Sequence, residues 1–269
     1  MMDLDKETKQ LFKRYRIFPK KRLGQNFMVD EGYLYEMTSY ASLSKGDVVL
    51  EIGAGFGALT KILSPLCSRI IAVEVDHRLC EVLKIKLASL SNITLINGDV
   101  LEAAIPAFNK VVSNPPFHIS SPILFWVLKQ SVELAVLTFQ KEFAERLVAS
   151  VGSKDYSRLT VETYYLADVE LLETVPREAF YPLPDVDACI VRLRLRKTAP
   201  FRVENEEVFH DLVRTLFTQR NKKLRNAVAG FLRKLGKEKE MADSLLFHDK
   251  RVRELAPEDF GAIANELAA

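Results

Sequence analysis

Val48-Val49-Leu50-Glu51-Ile52-Gly53-Ala54-Gly55-Phe56-Gly57 decides how this chain folds. Five mostly apolar residues run straight into a turn with glycine at every second position. A continuous apolar run, unlike an alternating one, belongs to a strand buried on both faces. Glycines after it let the backbone turn sharply and let a ligand approach with no Cβ in the way. Gly57 to Leu63 then opens a helix. Strand, glycine turn and helix together open an α/β sheet. Taken alone, the glycine run is equally a plain strand-to-helix turn.

The same alternation continues outward. A helix is predicted before the glycine strand, over about 30–43. After it come strands at Arg69–Val75, Ile93–Ile96, Val111–Ser113 and Leu134–Phe139. Between and after them lie helices at His77–Leu90, Ser120–Gln130 and Lys141–Ser150. The first of these carries Leu79, Val82, Leu83 and Leu87 at helical spacing. In the second, Pro122 sits in the first turn, where proline is tolerated. Val169–Leu172 and Ala188–Leu193 complete the strands. The pattern predicts a mostly parallel sheet covered on both faces, with ligands at the carboxyl ends of the strands. Past Pro200 only helices are predicted, at Val208–Phe217, Lys222–Leu235 and Pro257–Leu267. The expected division is a mobile basic arm over 1–22, an α/β domain over 23–200 and a small helical domain over 201–269.

Composition fits a soluble protein: 48% hydrophobic and 28% charged over 269 residues. No apolar run approaches the roughly 20 residues of a membrane span, and the charged N-terminus lacks a signal-peptide core. A cytoplasmic protein without a membrane partner is expected. Cys67, Cys80 and Cys189 lack metal-ligand spacing and read as buried, reduced thiols. His77, His118, His210 and His248 show no paired spacing, so no metal is expected. The net charge is only +2, but its distribution is uneven. Lys13, Arg14, Arg16, Lys20, Lys21 and Arg22 crowd the N-terminus. Leu212 to Lys237 holds no acidic residue and carries Arg214, Arg220, Lys222, Lys223, Arg225, Arg233, Lys234 and Lys237. Such a run is either a solvated helical face or a surface for nucleic-acid phosphates.

Four strand ends carry candidate chemistry. The glycine turn supplies Gly53 and Gly55. Glu74 closes the next strand, where a carboxylate accepts hydrogen bonds from both ribose hydroxyls of a nucleoside. Asp76 beside it reads as a helix N-cap. Gly98-Asp99-Val100 follows the third strand, and Asp99 is placed to accept from an adenine amino group. Asn114-Pro115-Pro116-Phe117 follows the fourth. A polar amide, two prolines and a flat ring make a stiff edge suited to a planar, amino-bearing base. The Asn114 side-chain oxygen and the Pro115 carbonyl would accept from the two amino hydrogens and aim the nitrogen lone pair, while Phe117 stacks on the base. Each signal alone is weak. In this order they point to methyl transfer from S-adenosylmethionine to an adenine amino group that is unpaired or flipped from its stack.

Leu23-Gly24-Gln25-Asn26-Phe27-Met28, the glycine motif, Phe180-Tyr181-Pro182-Leu183-Pro184-Asp185-Val186-Asp187 and Phe217-Thr218-Gln219-Arg220-Asn221-Lys222-Lys223-Leu224-Arg225-Asn226 are similar to motifs of one family. From about residue 20 to at least 230, the chain resembles the small-subunit ribosomal RNA adenine N6,N6-dimethyltransferases, the KsgA family. The resemblance implies a Rossmann-like S-adenosylmethionine-dependent methyltransferase sheet with a small C-terminal helical domain. It implies cofactor contacts from Asn26, Met28, Gly53, Glu74, Asp99 and Asn114, with Gln25, Gly55 and Val100 beside them in the same motifs. It implies base contacts from Asn114, Pro115 and Phe117, and RNA contacts from Arg220, Lys222, Lys223 and Arg225. The implied partner is an immature small ribosomal subunit, on which two adjacent adenosines of the 3′-terminal rRNA hairpin each receive two methyl groups from a monomeric enzyme. The family usually has Asn-Leu-Pro-Tyr where this chain has Asn-Pro-Pro-Phe, so the ring is kept and its hydroxyl lost. Met28 for leucine is a mild apolar exchange. The rivals are a DNA or large-subunit rRNA adenine methyltransferase and a ribosome-assembly or transcription factor that keeps the fold without transfer.

Overall fold

The computed structural model describes residues 3–268, with Lys21 described only in its backbone. Residues 1 and 2 of the expected arm and residue 269 of the expected helical domain lie outside it. The chain opens with α1 (Leu4–Tyr15), β1 (Phe27–Met28), α2 (Glu31–Tyr40), β2 (Val48–Ile52) and α3 (Ala58–Leu63). It continues with β3 (Arg69–Glu74), α4 (His77–Lys86), β4 (Ile93–Asn97), β5 (Lys110–Ser113) and α5 (Ser120–Val127). Next come β6 (Leu134–Gln140), α6 (Lys141–Leu147), α7 (Arg158–Leu166), β7 (Ala167–Val175), β8 (Phe180–Tyr181) and β9 (Ala188–Leu195). The last elements are α8 (Glu206–Phe217), α9 (Leu224–Ala227), α10 (Ala229–Lys234) and α11 (Pro257–Ala268).

Seven strands form one sheet in the order β4-β3-β2-β5-β6-β9-β7. The five strands from β4 to β6 are parallel, and β9 returns antiparallel to β6. The order reverses between β2 and β5. Such a switch point leaves a crevice beyond the strand ends. Leu50 lies beside Val111 in the register, and the Ser113 hydroxyl oxygen accepts the Ile52 N–H at 2.6 Å. The tips of the two strands are therefore tied together where the glycine turn and the Asn114 loop leave the sheet. Val49, Leu50, Val111 and Val112 have no exposed surface, as strands covered on both faces require.

The chain divides into two compact units: residues up to Ala144 with Glu170–Leu195, and Glu145–Val169 with residues from Arg196 on. The division differs from the boundary near 200 expected from the sequence. In the second unit, Val161 and Tyr165 of α7 share a core with Phe209, Leu212, Phe231 and Phe260. Tyr156 is wholly buried there, and its hydroxyl donates to the Leu255 carbonyl at 2.7 Å. The apolar face of α7 finds its partner in helices that follow much later in the chain, so chain order conceals the association.

The N-terminal segment also departs from expectation. It forms α1 and is packed, with Leu4, Thr8 and Phe12 buried at helical spacing. Phe12 meets Phe56 and Phe27 edge-on at 4.9 and 5.2 Å, beside Ile17, Leu79 and Val82. Asp3 caps the helix by accepting the Asp5 N–H. Basic residues on the outer face hide this apolar row from a reading of charge. All three cysteines are buried, and none is in a disulfide. No helix among the described residues is long and apolar enough to cross a membrane.

Candidate functional site

The switch point opens into a cavity of about 170 Å³ in the sheet unit. Every expected cofactor contact lines it: Gln25, Asn26, Met28, Gly53, Gly55, Glu74, Asp99, Val100 and Asn114. Gly53 and Gly55 both have left-handed backbone, φ 78° and 58°. A Cβ at Gly53 would lie 3.3 Å from Pro116 Cδ, and one at Gly55 3.0 Å from the Phe27 ring. Glycine is required at these positions by conformation and by space.

Glu74 is buried and held by the backbone. Its Oε2 accepts the Gly55 N–H and its Oε1 the Asp76 N–H, both at 2.9 Å. Burial pushes its carboxyl up to about 7, against the pull of those two N–H groups. Glu51, which the sequence reading did not single out, is buried on the same cavity wall and accepts the Thr60 hydroxyl at 2.6 Å. Burial pushes it up to about 8; the Thr60 hydroxyl opposes that shift, and the neighbouring Glu74 charge adds to it. Two buried carboxyls facing one cavity suit a cationic ligand. The signal in the sequence was an acid in the middle of an otherwise apolar strand.

Asp99 lines the cavity while one of its oxygens accepts the Leu101 N–H at 2.9 Å. Gln25 bridges two partners: its Oε1 accepts the Lys20 N–H at 2.8 Å, and its Nε2 donates to Asp76 at 3.2 Å. Asp76 caps α4, as expected, and also pairs with Arg78 and Lys20 at 2.7 and 3.3 Å. The Arg78 guanidinium beside it, with the Gln25 amide, holds its carboxyl well below the usual range.

Asn114 stands at the far wall. Its Nδ2 donates to the Asn26 carbonyl at 3.2 Å, while its Oδ1 is buried without a partner. A buried orphan acceptor is costly unless a ligand supplies the hydrogen. Pro115 is buried and does not line the cavity, and neither does Phe117. The Phe117 ring is half-buried and meets Phe180 edge-on at 5.7 Å. His118 and Ile119 do line the cavity, and a Cβ at Gly24 would collide with the His118 ring.

The expected RNA contacts lie in the helical unit, where they do not share one role. Arg220 donates through both terminal nitrogens to the Lys154 and Ser153 carbonyls at 2.7 and 2.8 Å, bracing a neighbouring turn. Lys222 is exposed, and its ammonium donates to the Gln219 side-chain oxygen at 2.7 Å. Lys223 and Arg225 share Asp249 at 2.9 and 3.3 Å. Lys223 bridges antiparallel to Arg251, Leu224 N–H reaches the Lys250 carbonyl at 2.8 Å, and Val252 N–H reaches the Lys222 carbonyl at 3.0 Å. Residues 220–225 and 248–253 thus form a double turn, which adds Lys250 and Arg251 to the basic set. Among the described residues no group of His, Cys, Asp and Glu is placed to hold a metal ion.

The site's residues fit S-adenosylmethionine: the glycine turn admits close approach, Glu74 offers a fixed acceptor, and Asn114, whose side-chain oxygen is unpartnered, lines the same space. Comparison with known proteins agrees. The family model for ribosomal RNA adenine dimethylase matches residues 18–269. A probable ribosomal RNA small subunit methyltransferase A from Methanosarcina mazei is 42% identical over 264 residues, covering 97% of each chain. The ribosomal RNA small subunit methyltransferase A of Bacillus cereus is 36% identical over 277 residues, covering 97% of this chain and 95% of that one. Among solved structures, a dimethyladenosine transferase from Plasmodium falciparum superposes with a TM-score of 0.74 at 29% identity, over 86% of this chain and 93% of that one. The 23S rRNA methyltransferase ErmE gives 0.66 at 29% identity, over 90% and 100%. The chain belongs to the ribosomal RNA adenine dimethylase family and is an S-adenosylmethionine-dependent methyltransferase built on an α/β, Rossmann-like sheet.

Proposed function

We propose that this enzyme methylates the N6 amines of two adjacent adenosines in the 3′-terminal hairpin of small-subunit rRNA, giving N6,N6-dimethyladenosines on an immature small ribosomal subunit during ribosome biogenesis. The observation that carries the reading is the buried, unpartnered Oδ1 of Asn114 at the switch point. The cofactor supplies an electrophilic methyl group on a sulfonium centre. The protein must hold an adenine amine whose lone pair is delocalised into its ring. Asn114 Oδ1 and the Pro115 carbonyl accept its two hydrogens and favour a pyramidal nitrogen. Phe117 offers its free face to the base. Gly53, Gly55, Glu74, Asp99 and Val100 hold the cofactor, with Gln25, Asn26 and Met28 closing the opposite wall. In-line positioning supplies most of the acceleration.

The curated relatives named above support small-subunit rRNA over large-subunit RNA as substrate. Lys222, Lys223 and Arg225, with Lys250 and Arg251 on the paired turn, meet RNA phosphates, and Arg220 braces that surface from behind. Recognition by charge and shape suits A-form RNA, whose deep major groove hides its sequence. The enzyme works as a cytoplasmic monomer, where the subunits are assembled. The test is incubation with methyl-labelled S-adenosylmethionine and immature small subunits, naked rRNA or duplex DNA, followed by nucleoside mass spectrometry. Dimethyladenosine on the small subunit is expected. Product mainly on naked large-subunit RNA, or monomethyladenine in DNA, would overturn the substrate reading.

A further inference from the structure

Phe18 is 75% exposed, the highest value among the exposed large hydrophobic residues described. Its exposure is not that of a loose end. Directly before it, Ile17 is 4% exposed in the cluster with Phe12 and Phe56, and its N–H donates to the Phe12 carbonyl at 3.0 Å. Arg16 ends α1 in the left-handed region, which redirects the chain. The Phe18 carbonyl accepts from Arg78 Nη2 at 3.3 Å, and Arg78 is held by Asp76. Two residues on, Lys20 is fixed through its N–H to Gln25 and through its ammonium to Asp76. Gln25, with Leu23 and Gly24 just before it, lines the cavity. The backbone on each side of Phe18 is thus fastened to the wall of the active-site cavity, while the residue itself is three-quarters exposed.

The surroundings of the ring specify its occupant. Arg16 and Arg22 are exposed and have no carboxylate partner among the described residues, and Lys13 and Arg14 are exposed on the preceding turn. An exposed aromatic ring on a segment that also carries Arg16 and Arg22 suits a base on a phosphate chain, because every base has a face to stack and every nucleotide a negative charge. An apolar protein partner would instead call for a wider apolar patch with few charges.

We infer that Phe18 is a stacking platform for an unpaired nucleotide near the target adenine, with Arg16 and Arg22 binding the adjoining phosphates. It is a substrate-positioning element, separate from Asn114, Pro115 and Phe117. The inference rests on the RNA substrate proposed above. As the adenine enters the cavity, its strand runs past residues 18–25. Stacking a neighbour on a fixed ring holds that strand in register.

The test compares binding of two fluorescein-labelled oligoribonucleotides, one of unpaired adenosines and one of equal length with abasic sites. The parent is expected to favour the base-bearing oligomer by about five- to tenfold, the low end of base–aromatic stacking. Phe18→Ala should lose most of that preference, keeping only the part that the Asn114–Phe117 loop supplies, and Phe18→Trp should keep it, with Tm and calorimetric affinity for S-adenosylmethionine unchanged in both. Arg16→Ala with Arg22→Ala should weaken both oligomers alike. A parent that binds the two equally, or Phe18→Ala that retains the preference, overturns the inference. Methylation of small subunits by the parent is measured beside it. Failure there counts against the substrate reading, whereas the oligomer ratio alone decides the platform.

Discussion

Around the cavity, polar groups are held by main chain: two backbone N–H groups grip Glu74, and the Asn26 carbonyl takes one end of Asn114. The double turn of the helical unit is arranged otherwise. Lys222, Lys250 and Arg251 are exposed, with Lys250 paired to Asp259 and Arg251 donating to the Asn221 carbonyl, and Lys223 and Arg225 share a single carboxylate. The first arrangement fixes atoms to fractions of an ångström and tolerates almost no substitution. The second sets up a field, in which no single side chain is decisive. Methyl transfer needs the former, and recognition of a phosphate backbone needs only the latter.

The contrast is broken most severely at Asn114. Asn114→Ala should lower single-turnover methylation by about 10²–10³-fold, as for loss of a donor or acceptor aimed at the reacting group. Its affinity for small subunits should stay near that of the parent. Equal rates for the two would remove Asn114 from the chemistry. Gly55→Ala comes next. A Cβ 3.0 Å from the Phe27 ring on left-handed backbone costs about 1–3 kcal/mol. Calorimetry should show S-adenosylmethionine bound at least about tenfold more weakly; unchanged affinity would mean that the turn does not control access.

The field is tested by neutralising Lys222, Lys223 and Arg225 together. Subunit affinity should fall roughly tenfold at low salt and its dependence on salt should flatten, while turnover at saturation is kept. Arg220→Ala should behave otherwise. It removes two hydrogen bonds to the Ser153 and Lys154 carbonyls, so Tm should drop by a few degrees, for about 1–2 kcal/mol, with the salt slope intact. A flattened slope for Arg220→Ala would put its guanidinium on the RNA after all.

The smallest effect is in pH. Burial raises Glu51 and Glu74 from an ordinary carboxyl's 4.5 to about 8 and about 7. Between those limits the folded chain binds more protons than the unfolded one, so the stability of the cofactor-free protein falls as pH rises through the window. Denaturant titrations from pH 5 to pH 8.5 should show that decline, and Glu51→Gln should flatten it. A flat profile over the same range would mean that both carboxylates are ionised throughout.

Legibility in the sequence followed the same division. The cavity's wall could be read because a strand buried on both faces is a continuous apolar run, and because Gly53 and Gly55 have no substitute. The Asn114 loop could be read because two prolines fix its path. Glu51 escaped notice because its role depends on what it faces, and a strand pattern does not show that. Helix α1 was concealed because Leu4, Thr8 and Phe12 include a threonine and are interleaved with lysines. Arg251 lies far along the chain from Lys223, and only their bridge makes them neighbours. The seating of α7 among α8 and α11 was invisible for the same reason: burial against a distant partner leaves periodicity but no address.

The hydroxyl of Ser113, holding the Ile52 amide, has a consequence for how this scaffold can change. It locks together the ends of the two strands that carry the glycine turn and the Asn114 loop. With the roles proposed above for those loops, the distance between methyl group and amine is a property of strand pairing, established when the sheet forms and before any ligand arrives. An engineer seeking a different acceptor amine can rebuild residues 115–119 and inherit the alignment. One who disturbs the pairing of β2 with β5 must solve the alignment again from the beginning.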